Sequence, residues 1–116
     1  MRTALLSAVL LMFVMTPVAN AYEVTRPGID WKGPFTPKDV AWKRAATDPP
    51  TFDIVLKRSS PPYAHIVAVN VDGTLLKTRI HPRKGGFPVG ANFRLQFVES
   101  RGSKVLAESR EFSIRH

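Results

Sequence analysis

Ten prolines are spread through the 116 residues of this chain, and they restrict its fold more than any other feature. Proline lacks a backbone N–H and breaks the interior of a helix. Between the prolines, short runs of β-branched and aromatic residues alternate with polar residues and end at Gly, Ser or Asp. This pattern predicts strands rather than helices.

The N-terminal residues follow a different pattern. A single positive charge at Arg2 precedes an apolar run from Ala4 to Met15, and small residues follow in Ala19-Asn20-Ala21. This order predicts a signal peptide, residues 1–21, cleaved after Ala21. The apolar run is well short of the ~20 residues that a membrane-spanning helix needs. We therefore expect a secreted domain of residues 22–116 with no stable membrane anchor.

Composition narrows what this domain can be. The chain has no cysteine, so disulfides and cysteine-ligated metals are excluded and the core alone must hold the domain together. Without residues 1–21, 16 basic residues stand against 9 acidic ones, a formal charge of +7. Such a cation is attracted to acidic polysaccharides, phospholipid headgroups and nucleic acid. Export argues against nucleic acid, and the alternative is that the basic residues only keep the protein soluble.

The strand pattern is clearest in the last third of the chain. Phe93, Leu95 and Phe97 alternate with polar residues, which places all three on one face. Trp42 is in phase with Val40 and is predicted to be the buried tryptophan of the core. About seven such strands are expected, beginning with residues 22–26. Their spacing predicts an all-β, immunoglobulin/fibronectin-III-like antiparallel β-sandwich, with a small barrel as the alternative.

Two neighbouring runs are predicted to pair. Residues 65–71 are nearly all apolar. They suit either a strand covered on both faces or an edge strand that pairs with another chain. The sequence does not decide between these alternatives, so the oligomeric state stays open. Asp72-Gly73 follows them and is a strong turn signal. We expect a hairpin that joins this run to residues 75–80.

The order of several short motifs resembles one protein family. The motifs are Val24-Thr25-Arg26-Pro27, Trp31-Lys32-Gly33, Val40-Ala41-Trp42, Phe52-Asp53-Ile54-Val55-Leu56, Phe87-Pro88-Val89-Gly90-Ala91-Asn92-Phe93-Arg94-Leu95 and Phe112-Ser113-Ile114. They are similar to the immunoglobulin-like N-terminal domain of fungal Ser/Thr-rich, often GPI-anchored surface proteins related to yeast Kre/Knh proteins. The resemblance implies a fungal protein at the cell wall. The given sequence departs from the family at Phe93, where a tyrosine is usual. It also lacks the Ser/Thr-rich stalk and the GPI signal that follow this domain in the family.

Residues typical of catalysis are scattered. The three histidines, His65, His81 and His116, have no short metal-ligand spacing. The acidic residues form no pair that the sequence can place across a cleft, and no serine lies in a Gly-x-Ser-x-Gly context. We therefore predict a protein that is not an enzyme and has no catalytic residue, metal site or cofactor.

Aromatic and basic residues remain as candidates for ligand binding. Trp31 lies in a Gly/Pro-bounded loop, where it either caps the core or presents an exposed ring to a sugar. Tyr63 follows two prolines and is predicted to be exposed on an extended loop. The densest basic feature would suit phosphate or carboxylate groups, or is simply a solvated sheet face. It consists of Lys77, Arg79, His81, Arg83 and Lys84.

These observations lead to two functional hypotheses. The first is a small secreted, non-catalytic module that acts at the cell wall or in the extracellular space by binding wall polysaccharide or a protein partner. In a fungus that lives on a host, such a protein would be described as an effector. The second is a cationic secreted protein that acts on anionic membranes or competing microbes.

Overall fold

The computed structural model describes residues 22–28, 30–45 and 48–116. The predicted signal peptide, residues 1–21, lies outside this part of the chain. Nine strands and one turn of 3-10 helix are present there. In chain order they are β1 (Glu23–Arg26), β2 (Asp30–Lys32), β3 (Lys38–Lys43), β4 (Thr51–Arg58), β5 (Tyr63–Asp72), the 3-10 turn (Gly73–Leu75), β6 (Lys77–Ile80), β7 (Gly90–Glu99), β8 (Val105–Glu108) and β9 (Phe112–Arg115).

The strands form two sheets. The small sheet has the order β1-β3-β6, and the large sheet has the order β2-β9-β7-β4-β5, with β8 also paired to β7. All pairs are antiparallel except β2 and β9, which run parallel. The apolar faces of the two sheets supply one core. The predicted all-β sandwich is therefore confirmed.

Two features raise the strand number from the predicted seven to nine. Residues 30–32, expected in a loop, form β2. The sequence predicts one last strand over residues 105–114, but it is divided at Ser109, whose N–H donates to the Leu95 carbonyl at 2.8 Å. The Ser109 hydroxyl accepts the Leu95 N–H at 2.9 Å, in place of a backbone carbonyl. This side-chain bond interrupts the ladder and separates β8 from β9.

Aromatic rings fill the core in two groups. The Trp42 cluster comprises Tyr22, Trp42, Phe52 and Phe97, and the Trp31 cluster comprises Trp31, Phe87, Phe93 and Phe112. Phe52 stacks on Phe97 with ring centroids 4.1 Å apart, and Trp42 meets both rings edge-on. The predicted burial of Trp42 and of the inward face of β7 is confirmed. Because Phe52 and Phe93 lie near opposite ends of the paired strands β4 and β7, the clusters fill opposite ends of the sandwich.

The predicted hairpin at Asp72-Gly73 is wrong, because the chain crosses here from one sheet to the other. β6 pairs with β3 of the small sheet, whereas β5 pairs with β4 of the large sheet. The Asp72 carboxylate accepts the N–H and the hydroxyl of Thr74, at 3.0 and 2.6 Å, and so caps the 3-10 turn. These bonds lower the pKa of Asp72. A β-carbon on Gly73 would collide with the Tyr22 hydroxyl, so glycine is needed here for space.

The apolar run at residues 65–71 belongs to β5, which is an edge strand of the large sheet. Its outer side chains are open to solvent: Ile66 is 53% exposed and Val69 is 62% exposed. The prediction of a strand covered on both faces is therefore wrong, and the predicted edge position is confirmed.

Candidate functional site

The structure separates the seven candidate binding residues into distinct places. Tyr63, His81 and Arg83 line one cleft. Lys77 and Arg79 lie on the outer face of the small sheet. Lys84 is exposed in the loop that follows β6, and Trp31 is buried in the core.

The cleft lies where the start of β5 faces the chain that continues from the end of β6. It has a volume of about 70 Å³. Its floor includes buried Leu56 and Phe87, and its sides carry polar groups. The residues lining it are Leu56, Tyr63, His65, Ile66, Val67, His81, Arg83 and Phe87. None of these lining residues has a carboxylate, so a phenol, two imidazoles and a guanidinium supply its polar atoms.

The fold explains how this cleft forms. β5 and β6 are edge strands of different sheets, joined by the crossover at residues 73–76. Because the chain reverses there, the first residues of β5 lie beside the residues that follow β6. His65, which has no metal-ligand spacing in the sequence, is thereby brought to the same cleft as His81.

Tyr63 is held more firmly than the sequence predicts. It is the first residue of β5 and is half-buried, so the prediction of an exposed residue on an extended loop is wrong. Its ring meets Phe93 edge-on, with centroids 6.0 Å apart. The Arg58 guanidinium lies 4.4 Å from the centre of the Phe93 ring and donates through Nε to the Pro61 carbonyl at 3.0 Å. These contacts fix the turn that leads into Tyr63.

Trp31 is not available as a surface for sugars. Only 2% of it is exposed, and its ring lies 4.9 Å from Phe87 and 5.0 Å from Phe112, measured between centroids. The exposed-ring interpretation is therefore wrong, because β2 pairs with β9 and turns the indole into the core. The alternative, that Trp31 caps the core, is confirmed.

The predicted basic face is divided. Lys77 and Arg79 share the outer face of β6, beside a depression of about 530 Å³ that Arg26 and Ala41 also line. Arg79 pairs with Asp39 at 3.0 Å. His81 does not join this depression, because β6 ends at Ile80 and the chain then turns toward the cleft. The spacing in the sequence places Lys77, Arg79 and His81 on one face only if the strand stays extended. Because the strand ends before His81, His81 does not share the face of Lys77 and Arg79.

One exposed aromatic residue was not selected from the sequence. Phe35 is 69% exposed in the loop between β2 and β3. Its bracketing by Pro34 and Pro37 is the signal that could have identified it. Two atoms of its ring, Cε1 and Cδ1, lie 2.9 and 3.0 Å from where a β-carbon on Gly86 would stand. Phe35 therefore lies against the loop that carries Arg83 and Lys84.

The side chains that line the cleft offer hydrogen-bond donors to a ligand. In residues 22–28, 30–45 and 48–116, no group of three or more His, Asp or Glu side chains could hold a metal ion. The guanidinium of Arg83 and the phenol of Tyr63 are hydrogen-bond donors. Such donors around an apolar floor suit hydroxyl, carboxylate or phosphate groups.

Comparison with known proteins gives no relative: no protein-family model, curated protein or solved structure matches the chain. Within the described part of the chain, no helix has the length and apolar character to cross a membrane. The resemblance to fungal Kre/Knh-type domains stays a prediction.

Proposed function

We propose that this protein is a secreted, non-catalytic β-sandwich module that acts at the cell wall or in the extracellular space by binding polysaccharide through the Tyr63–Arg83 cleft. The observation that carries the proposal is the meeting of Tyr63, His65, His81 and Arg83 in one cleft without a carboxylate. A protein partner at the same place is the alternative within this hypothesis.

The shape of the cleft favours a polysaccharide. Its volume of about 70 Å³ admits one small group of a chain-like ligand. A stable protein interface typically buries ~800 Å² on each partner. Tyr63 and Arg83, whose side chains carry hydrogen-bond donors, both line this small space, which suits the oxygen-rich groups of a sugar. The predicted signal peptide and the family resemblance support the wall or extracellular compartment.

Binding to insoluble wall polymers tests the proposal. The mature chain is mixed with β-glucan, chitin or an acidic wall polysaccharide at increasing salt, and the bound fraction is measured. We expect retention on one polymer that persists at moderate salt and falls in Tyr63→Ala and Arg83→Ala. Lys104→Ala is the matched control, because it removes one exposed cation beside β8, at the end of β7 remote from the cleft.

Other outcomes would contradict the proposal. If no wall polymer retains the protein, the polysaccharide hypothesis is wrong and a protein partner is left. Retention that disappears at moderate salt, and falls equally in Lys104→Ala and Arg83→Ala, would indicate charge alone. That result would favour the cationic protein acting on anionic membranes, with Lys77 and Arg26 on the outer face of the small sheet as its contacts.

A further inference from the structure

Two loops meet at the end of the sandwich above the Trp31 cluster. One joins β2 to β3 and contains Pro34 and Phe35; the other joins β6 to β7. The Phe87 N–H donates to the Pro34 carbonyl at 2.8 Å, and the Gly86 N–H donates to the Arg83 carbonyl at the same distance. The first bond ties the two loops together and the second closes the turn at Arg83, so the position of Phe35 relative to that turn is fixed.

Gly86 makes this contact possible. Its φ is +84°, a left-handed conformation that glycine adopts without strain. A β-carbon at this position would lie 2.9 Å from the Phe35 ring and 3.1 Å from the Pro34 carbonyl oxygen. The missing side chain thus leaves room for an aromatic ring that is 69% exposed and yet held in place. A preorganised exposed ring loses little entropy when it binds a ligand.

The charge of the two loops has one sign. Residues 33–37 and 81–89 contain Arg83 and Lys84, as well as His81, and no Asp or Glu. Arg83 and Phe87 also line the cleft, so the cleft and the Phe35 loop form one continuous surface. An aromatic ring beside cations with no neighbouring carboxylate in these loops suits a ligand that is partly apolar and negatively charged.

We infer that this surface binds an acidic polysaccharide, with one sugar ring stacked on Phe35 and the carboxylate of a neighbouring sugar held by Arg83 and Lys84. This inference rests on the proposed function and names its ligand class. The C–H face of a pyranose ring packs against an aromatic face, and a guanidinium pairs with a carboxylate in two parallel hydrogen bonds. Tyr63 and His81 in the cleft are then placed to meet the next hydroxyl groups along the chain.

An anionic membrane is the competing ligand, and the structure favours it less. Membrane binding by a surface segment increases with the apolar area that it inserts. Around the cleft and the Phe35 loop, the large exposed apolar side chains within the described residues are Phe35, Ile66 and Val89. The neighbouring cleft instead offers hydrogen-bond donors, which suit sugar hydroxyl groups better than acyl chains.

The experiment uses two forms of one oligosaccharide, one with charged carboxylates and one with those groups neutralised as methyl esters. Tetragalacturonate and its fully methyl-esterified form are each titrated into the mature protein by calorimetry. We expect the acid to bind at least tenfold more tightly than the ester. Phe35→Ala should weaken binding of the acid roughly tenfold, a loss equivalent to about 1.4 kcal/mol. Phe35→Trp should restore it.

Two further variants test how the ring is positioned. Gly86→Ala should weaken acid binding like Phe35→Ala, because the added methyl group displaces the ring. Leu75→Ala is the control, since Leu75 is 64% exposed on the 3-10 turn at the opposite end of the sandwich. It should bind like the unmodified protein. Melting curves establish whether each variant is folded. If Gly86→Ala does not fold, Phe35→Ala still tests whether the ring contributes to binding.

The outcomes separate this inference from the proposed function. Equal affinity for acid and ester, or unchanged binding in Phe35→Ala, would overturn the inference. If β-glucan or chitin is still retained through Tyr63 and Arg83, the proposed function stands without it. If tetragalacturonate does not bind but phosphatidylserine vesicles do, and Phe35→Ala abolishes that binding, the surface is a membrane contact and both are wrong.

Discussion

The two ends of the sandwich are filled by similar aromatic clusters that differ in how their indole N–H groups are satisfied. Trp42 donates its Nε1 hydrogen to the Gly73 carbonyl at 2.8 Å, within the crossover. The buried Nε1 of Trp31 has no hydrogen-bond partner among the described residues. Both indoles supply apolar area to the core, but only Trp42 also ties the crossover to the small sheet.

This difference matches what lies above each cluster. The Trp42 end is closed by the crossover, whose capped turn and short connection serve the fold. The Trp31 cluster supports the loops of the candidate site, because Phe87 belongs both to that cluster and to the cleft. The comparison indicates that one end is specialised for holding the sheets together and the other for presenting loops. The predictions below test that division.

The largest effect is expected from removing a core ring at either end. Trp42→Ala and Phe93→Ala should each lower the free energy of unfolding by roughly 3 to 5 kcal/mol, because each removes a large buried aromatic side chain. Chemical denaturation followed by circular dichroism measures this. Melting close to that of the unmodified protein in both variants would mean that these rings do not form the core.

A smaller effect should distinguish the two tryptophans. Trp42→Phe removes the shorter of two hydrogen bonds to the Gly73 carbonyl, which keeps only the Leu76 N–H at 3.4 Å. The loss should cost about 0.5 to 1.5 kcal/mol beyond the loss of ring area. Trp31→Phe removes an N–H that has no partner, so it lacks this extra cost. The difference between the two variants in denaturation midpoint is the measurement. Equal destabilisation would show that the hydrogen bond to Gly73 does not distinguish the ends.

The smallest effect concerns pH at the Trp42 end. The hydroxyl and N–H of Thr74 bond to the Asp72 carboxylate and lower its pKa below the ordinary value of 3.8. A carboxyl whose pKa is lowered by folding stabilises the fold above its unfolded pKa, and this contribution is lost as pH falls through the folded value. The stability advantage over Asp72→Asn should therefore shrink as pH falls below 3.8. Thr74→Ala should reduce this pH dependence, and an unchanged one would contradict the assignment.

Much of the fold could be predicted because its signals are local. Alternation along β7 identifies which side chains point inward, and the phase of Trp42 with Val40 predicts its burial. The crossover could not be predicted in this way. Asp72-Gly73 has the composition of a hairpin turn. Whether the chain makes a hairpin or a crossover depends on the bonds from Thr74, on the space that Tyr22 occupies and on the pairing of β6 with β3. In that pairing Arg79 lies opposite Asp39, 40 positions earlier in the sequence.

The candidate site was only partly predictable for the same reason. The basic residues of β6 and of the loop after it can be identified by type, as can Tyr63. The division of the basic residues between a cleft and a sheet face depends on where β6 ends. The sequence predicts a loop at Trp31, because β2 has only three residues and depends on a parallel partner far away in the sequence. The prolines on either side of Phe35 are a local signal of an exposed loop, whereas its contact with Gly86 depends on how the two loops meet in the fold.

The parallel pairing of β2 with β9 also bears on the order in which the molecule can be completed. Asp30 lies opposite Ser113 and Lys32 opposite Arg115, so the partners are 83 positions apart. Contacts between residues so distant in sequence are slow to form, because a long loop must close before they contribute. Trp31 reaches its buried position only through this pairing. The end of the domain that presents the candidate binding loops therefore depends on synthesis of the chain as far as β9.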